Sequence, residues 1–168
     1  MMAKVNLYLW VKKVMWKYTS RNWENISLHD HLISKVSCEK NDILLMFDEG
    51  FDVVKTHPLN NTGKSKHTTS SLVVLKNARF SDGKVCYIVT QKDMETYSVN
   101  RPFDFSTLTN DLGELEVLQF EIKDEKFKLD VALNGEFAEV CFLCSDVIFC
   151  WNDYSDDAWF ENWEENIE

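Results

Sequence analysis

The chain has 168 residues, of which 45% are hydrophobic and 13% aromatic, and its formal net charge at pH 7 is −10. This composition excludes overall disorder, which is marked by few aromatic residues. The length suits one domain with its own core, and we expect a single domain over residues 1–168. No run approaches the roughly 18–20 apolar residues that span a bilayer, so we expect no membrane partner.

The first thirteen residues, MMAKVNLYLWVKK, combine a short apolar run with flanking charges. The run ends at two lysines without the small-residue cleavage site of a secretion signal, so we expect it to belong to the mature fold. Helical spacing of Leu7, Val11, Val14 and Tyr18 predicts a helix here, although residues 5–11 also fit a strand. The five cysteines, an odd number, indicate reduced thiols and a cytosolic location.

Beyond this segment, short apolar or alternating runs recur between turn residues. These runs are 31–38, 42–47, 51–56, 71–80, 85–90, 115–122, 127–133, 137–143 and 147–151. Asp82-Gly83 and Asn134-Gly135 lie between such runs, and dipeptides of this kind indicate hairpin turns. The spacing predicts an all-β fold, an antiparallel sandwich or open barrel with one or two short helices.

Two other segments have a different character. Residues 103–112 carry possible capping residues and end at Gly113, which predicts a short helix. Residues 60–71, NNTGKSKHTTSS, are small and polar, which predicts a mobile surface loop.

His29-Asp30-His31 is the motif with the most chemical potential. On a strand, the two imidazoles point to the same face, and with His57 or an acid as third ligand they fit a zinc site. Alternatively, the triplet forms a turn whose side chains satisfy backbone groups. We favour the turn and predict no metal and no cofactor.

The spacing of Cys141 and Cys144 resembles a redox or zinc pair, but both lie in the strand-like stretch VCFLCSDVIFC. We interpret them as core thiols, since cysteine is among the residues most often buried. The sequence holds no nucleophile-elbow pattern and no glycine-rich phosphate loop. We therefore predict no catalytic residue.

Charged residues are distributed unevenly along the chain. Residues 104–168 hold 18 Asp and Glu against three Lys, whereas residues 1–103 hold 15 Lys and Arg against 10 Asp and Glu. The segment 149–168 alone combines seven carboxylates with six aromatic rings and no Lys or Arg. Such a surface attracts cationic partners and repels nucleic acid.

We predict that this acidic aromatic segment, 149–168, binds a basic protein partner, with aromatic anchors and steering carboxylates. The predicted partner-binding residues are Trp151, Asp153, Tyr154, Asp156, Asp157, Trp159 and Glu161. Two alternatives remain open. The segment is either a last strand with a solvated acidic tail, its Trp rings packing on the sandwich, or a platform for carbohydrate stacking.

The stretch SLHDHLISKVSCEKNDILLMFDEGFDV and the ending FCWNDYSDDAWFE resemble a group of small bacterial β-domain proteins. These share a Leu-His-Asp turn, an Ile-bearing strand and a strand that ends in an acidic-Gly-Phe hairpin. Some of them look like immunity proteins, which bind and neutralise a toxin made by the same cell. The resemblance implies a toxin-neutralising role, and it carries over no catalytic residue.

Together these features predict a cytosolic, non-catalytic immunity protein. Its acidic last third would mimic nucleic-acid phosphates and occupy the cationic cleft of a nuclease-type toxin. Two alternatives come from other classes: a small metal-dependent hydrolase that uses His29 and His31, and a structural module that self-associates through its aromatic tail. The sequence leaves the oligomeric state open.

Overall fold

A computed structural model describes residues 15–90, 96–110 and 112–163. Within these ranges the chain forms fifteen strands. The first eight are β1 (Tyr18–Ser20), β2 (Ile26–Ser27), β3 (His31–Leu32), β4 (Lys35–Glu39), β5 (Asp42–Phe47), β6 (Asp52–Val53), β7 (Lys66–Thr68) and β8 (Ser71–Lys76). The others are β9 (Arg79–Thr90), β10 (Thr96–Pro102), β11 (Leu115–Lys123), β12 (Lys126–Leu133), β13 (Glu136–Leu143), β14 (Asp146–Trp151) and β15 (Tyr154–Asp157).

The strands form three antiparallel sheets. A five-stranded sheet has the order β1-β14-β8-β5-β4, and a six-stranded sheet has the order β10-β9-β13-β12-β11-β3. A smaller four-stranded sheet has the order β15-β7-β6-β2. Strands make up 57% of the structure, and the predicted all-β, sandwich-like fold is confirmed.

Helix is scarce in the described ranges. A 3₁₀ turn covers Trp23–Asn25, and a single-turn helix, α1, covers Ser106–Thr109 inside the predicted segment 103–112. Most of the helix predicted from Leu7 to Tyr18 lies outside the described residues. At Tyr18 the prediction is wrong, because this residue begins strand β1.

The core lies between the two large sheets because their strands alternate apolar and polar side chains. In β12, Phe127, Leu129, Val131 and Leu133 point inward and are buried, while the residues between them are partly exposed. Such alternation buries one face of a strand and leaves the other to water. One apolar cluster runs through all three sheets and includes aromatic rings such as Phe149.

The five-stranded sheet carries apolar residues on its second face as well. Leu44, Leu72 and Cys150 form a separate buried cluster there, with Trp16 and Ile148 among the partly buried residues packed against it. Both faces of this sheet are therefore apolar.

One predicted hairpin turn is wrong. Asp82 and Gly83 lie inside β9, and the turn before β9 instead contains Asn77, whose φ is 46°. Gly83 has another role: a Cβ built on it would lie 2.5 Å from Cε2 of Phe103 and 2.8 Å from Cζ of Phe80. A glycine is needed here because two aromatic rings pack directly on the strand backbone.

The predicted surface loop at 60–71 is correct only in part: residues 61–64 are exposed and irregular, but most of the rest is not a surface loop. This stretch contains β7, and Asn60, Ser65 and Thr68 are buried. Asn60 Nδ2 donates to the carbonyl oxygens of Val53, Val54 and Lys64 at 2.8–3.3 Å. Small polar side chains can therefore fill an interior when each finds a hydrogen-bond partner.

Candidate functional site

The four-stranded sheet aligns a row of polar residues across its strands. Ser27 on β2 pairs with Asp52 on β6, Asp52 pairs with His67 on β7, and His67 pairs with Asp156 on β15. Residues that pair directly across antiparallel strands project from the same face of a sheet. The fold thus places a carboxylate, an imidazole and a second carboxylate side by side.

Asp52 is the centre of this row and is fully buried. Its Oδ2 lies 2.9 Å from Nε2 of His31, and its Oδ1 lies 2.8 Å from Nδ1 of His67. A buried carboxylate is costly unless it is paired and hydrogen-bonded, and the two imidazoles fulfil that need. His31 belongs to β3 of the six-stranded sheet, so the group links two sheets.

The two imidazoles are themselves neighbours, with ring centroids 5.0 Å apart. The ligand atoms of His31, Asp52 and His67 all lie within 4.8 Å of one another, so these three side chains could hold a metal ion. On its far side, Nε2 of His67 donates to the backbone carbonyl of Glu49 at 2.5 Å. A carbonyl only accepts, so this contact assigns the hydrogen to Nε2.

His29 and His57, the other histidines named from the sequence, lie outside this group. His29 Nδ1 contacts the carbonyl oxygen of Leu118 at 2.6 Å, and its ring lies 6.1 Å from that of Trp159. Asp30 has a φ of 63°, so the triplet turns the chain and does not continue as a strand. The turn interpretation therefore fits His29, whereas His31 joins a cluster that sequence spacing did not predict.

His57 is buried against the indole of Trp151, edge-on at a centroid distance of 5.4 Å. Its Nδ1 accepts a hydrogen bond from the Leu59 amide, and its Nε2 donates to Oγ of Ser20. Burial lowers the pKa of this imidazole. The ring is thus the neutral tautomer with hydrogen on Nε2, in a structural role.

The predicted partner-binding residues separate into three environments. Trp151 is fully buried in the core, so it does not lie on a surface that a partner contacts. Tyr154 is half-buried and stacks on Tyr18 at a centroid distance of 6.2 Å. These two rings fix the acidic segment to the sandwich.

Asp157 and Glu161 attach the same segment to the loop before β7. Asp157 pairs with Lys66 at 2.5 Å and with Lys64 at 3.2 Å, and these hydrogen bonds lower the pKa of its carboxyl. Oε2 of Glu161 accepts the backbone N–H of Ser65 at 2.6 Å. Their charges are therefore already engaged within the chain.

Asp153, Asp156 and Trp159 remain exposed. Within residues 15–90, 96–110 and 112–163, neither of these Asp side chains forms an ion pair with Lys or Arg. Trp159 is 44% exposed and Trp163 is 63% exposed, and their rings meet edge-on at 5.0 Å. The exposed carboxylates and indoles thus lie along and just beyond β15: Asp153 precedes the strand, Asp156 lies within it, and the two Trp residues follow it.

The cysteines do not form a constellation with these residues. All five are free thiols, and Cys144 and Cys150 are buried. Burial raises the pKa of Cys150 to about 12, so this thiol does not ionise near neutral pH.

Comparison with protein-family models, with curated proteins and with solved structures gives no significant match. In the part of the chain that the structure describes, no helix is long and apolar enough to cross a membrane.

Proposed function

We propose that this protein binds a basic protein partner, without catalysis, through a surface that we call the acidic aromatic face. This face comprises Asp153, Asp156, Trp159 and Trp163. The observation that carries the proposal is the exposure of two indoles beside two carboxylates that have no cationic partner in the described residues.

Exposed indoles supply binding energy, since Trp is enriched among the residues that dominate protein interfaces. Carboxylates without a cationic partner among the described residues are available to a cation of another protein. Charge complementarity of this kind accelerates association and suppresses wrong partners. Of the seven residues predicted from the sequence, the proposal keeps Asp153, Asp156 and Trp159, and it adds the exposed Trp163.

The most specific form of the proposal is an immunity protein that neutralises a nuclease-type toxin in the cytosol. The acidic balance of residues 104–168, with 18 Asp and Glu against three Lys, supports a cationic cleft as the target. Asp153 and Asp156 would occupy phosphate positions in that cleft, and Trp159 would anchor the rim. An acidic face of this kind disfavours nucleic acid as the partner itself.

The test uses a double variant, Asp153→Asn/Asp156→Asn, which removes two charges and keeps the side-chain size. Its matched control, Glu114→Gln/Glu121→Gln, removes two exposed charges from the same acidic third that are not among the residues of the face. Proteins from the source cell are captured at low salt on the wild-type chain and on both variants. Association of the purified partner is then followed by stopped flow over a salt series.

We expect a cationic partner that the wild type and the control retain and the double variant loses. Its association with the double variant should slow by about tenfold or more, with a flatter salt dependence. Trp159→Ala should instead accelerate dissociation. Equal capture by all three chains, or an unchanged rate and salt slope, would show that the face is only a solvated surface.

A further inference from the structure

We propose that His31, Asp52 and His67 form a binding site for a divalent transition-metal ion of the zinc type. The ligands would be Nε2 of His31, one carboxylate oxygen of Asp52 and Nδ1 of His67. This site shares no residue with the acidic aromatic face, although Asp156 of that face pairs with His67 across the sheet, and it does not depend on the function proposed for that face.

The donor set matches the chemistry of zinc. Two imidazole nitrogens and one carboxylate oxygen form a three-ligand set that leaves a further position for water or a partner atom. Ligand atoms at about 2.0–2.2 Å from a tetrahedral ion lie roughly 3.3–3.5 Å apart. The two contacts of Asp52 are 2.9 Å and 2.8 Å. Small side-chain movements would therefore bring the imidazole nitrogens and the carboxylate oxygen to the separation that a tetrahedral ion requires.

The hydrogen bond of His67 to Glu49 provides the second argument. Nε2–H of His67 donates to the backbone carbonyl of Glu49, which orients the ring and directs Nδ1 at Asp52, 2.8 Å from Oδ1. Metal-bound histidines commonly donate their other N–H to a backbone carbonyl in this way, so the ring is already oriented as a ligand.

The burial of the three side chains suits a site that opens on one side only. The side chain of Asp52 is 0% exposed, while those of His31 and His67 are 11% and 24% exposed. The ion could therefore enter from the side of the partly exposed imidazoles, and the buried carboxylate would supply a negative charge to balance it.

A bound ion would also join two sheets, because His31 lies on β3 while Asp52 and His67 lie on β6 and β7. Any ligand that binds only the folded state raises the unfolding temperature. Zinc should therefore stabilise the fold, and this readout requires no knowledge of activity.

The experiment uses the full chain without a polyhistidine tag, treated with chelator and titrated with Zn²⁺ by calorimetry. We expect one equivalent to bind and the unfolding temperature to rise with zinc. His31→Gln and His67→Gln should each weaken binding by more than tenfold, since loss of even an outer-shell partner weakens metal binding by about 10–100-fold. His29→Gln is the matched control, since His29 lies outside the cluster, and its affinity should be unchanged.

A second measurement applies if the variants fail to fold. In the wild type, zinc should shift the imidazole ¹⁵N resonances of His31 and His67 and leave those of His29 and His57 in place. Co²⁺ should give the visible absorption of a low-symmetry nitrogen and oxygen site. The proposal is wrong if no stoichiometric zinc binds, if His29→Gln weakens binding as much as His67→Gln, or if the resonance shifts occur at His29 or His57.

Discussion

The interior around β6 and β7 is built differently from that of the five-stranded sheet. The buried polar residues of the described chain all fall between positions 52 and 71: Asp52, His57, Asn60, Ser65, Thr68 and Ser71. In β5 and β14, by contrast, the buried side chains are apolar throughout. The interior around β6 and β7 is held by directional hydrogen bonds, whereas that of the five-stranded sheet is held by the burial of apolar surface, which has no preferred direction.

This difference has energetic consequences. Apolar burial is roughly proportional to area and tolerates volume-conserving exchange. A buried polar group depends on its specific partner, and leaving that group unpaired costs more than the bond itself contributes. Substitutions around β6 and β7 should therefore lower stability by leaving a buried polar group without its hydrogen-bond partner. Substitutions in β5 or β14 should lower stability by changing the volume of a buried apolar side chain.

The largest effect should come from Asp52→Ala, which leaves two imidazoles without their shared acceptor. We expect a loss of about 3–5 kcal/mol in the free energy of unfolding, measured by urea denaturation with chelator present. The triple variant His31→Leu/Asp52→Leu/His67→Leu should recover much of that loss, because replacing a whole buried polar group by apolar residues is often neutral. A triple variant less stable than Asp52→Ala would contradict the pairing argument.

Asn60→Ala should have the next largest effect. Three carbonyl oxygens, those of Val53, Val54 and Lys64, lose the donor that they share. We expect a loss of about 1–3 kcal/mol by urea denaturation, the usual cost of a buried unsatisfied group. Asn61→Ala is the control, since Asn61 is exposed in the same turn and should change the free energy by less than about 0.5 kcal/mol. Equal losses in both variants would assign the effect to the turn backbone.

The smallest effect should be the acid sensitivity that His57 confers. Burial lowers its pKa below the ordinary value of 6.5, so the unfolded chain binds a proton that the folded chain resists. Stability from this group is therefore complete above pH 6.5 and declines as the pH falls toward the folded pKa. In His57→Gln the urea midpoint should fall less steeply over that pH interval than in the wild type. An identical fall in both proteins would show that His57 is not the source of the acid sensitivity.

The alternating strands were predictable from sequence because their pattern is local. The runs that became β11 to β13 each show it, and the two turns between them carry Asp124-Glu125 and Asn134-Gly135, all with positive φ. Gly83 misled the prediction because its neighbours in sequence form a turn motif, whereas its function depends on two distant aromatic rings. A local motif does not reveal a contact that the tertiary fold creates.

The candidate site was predictable only in part, for the same reason. His31 was named from the sequence, but its partners Asp52 and His67 lie 21 and 36 positions away, Asp52 in an apolar run and His67 in a small, polar stretch. Strand pairing between β6 and β7, together with the position of β3, brings them together. The exposure of Trp159 and the burial of Trp151 were likewise indistinguishable by composition, because both rings occur in the same acidic segment.

The position of β14 has a consequence for how the chain folds. β14, at Asp146–Trp151, lies between β1 and β8 and pairs with both, although β1 is separated from it by more than a hundred residues. Folds dominated by such distant pairings fold slowly, since loop closure must precede the contacts that reward it. During synthesis, β1 and the adjoining edge of β8 have no partner until residue 151 has left the ribosome. Until then the chain exposes two open strand edges beside an apolar surface, and that is the interval in which it is most prone to aggregate.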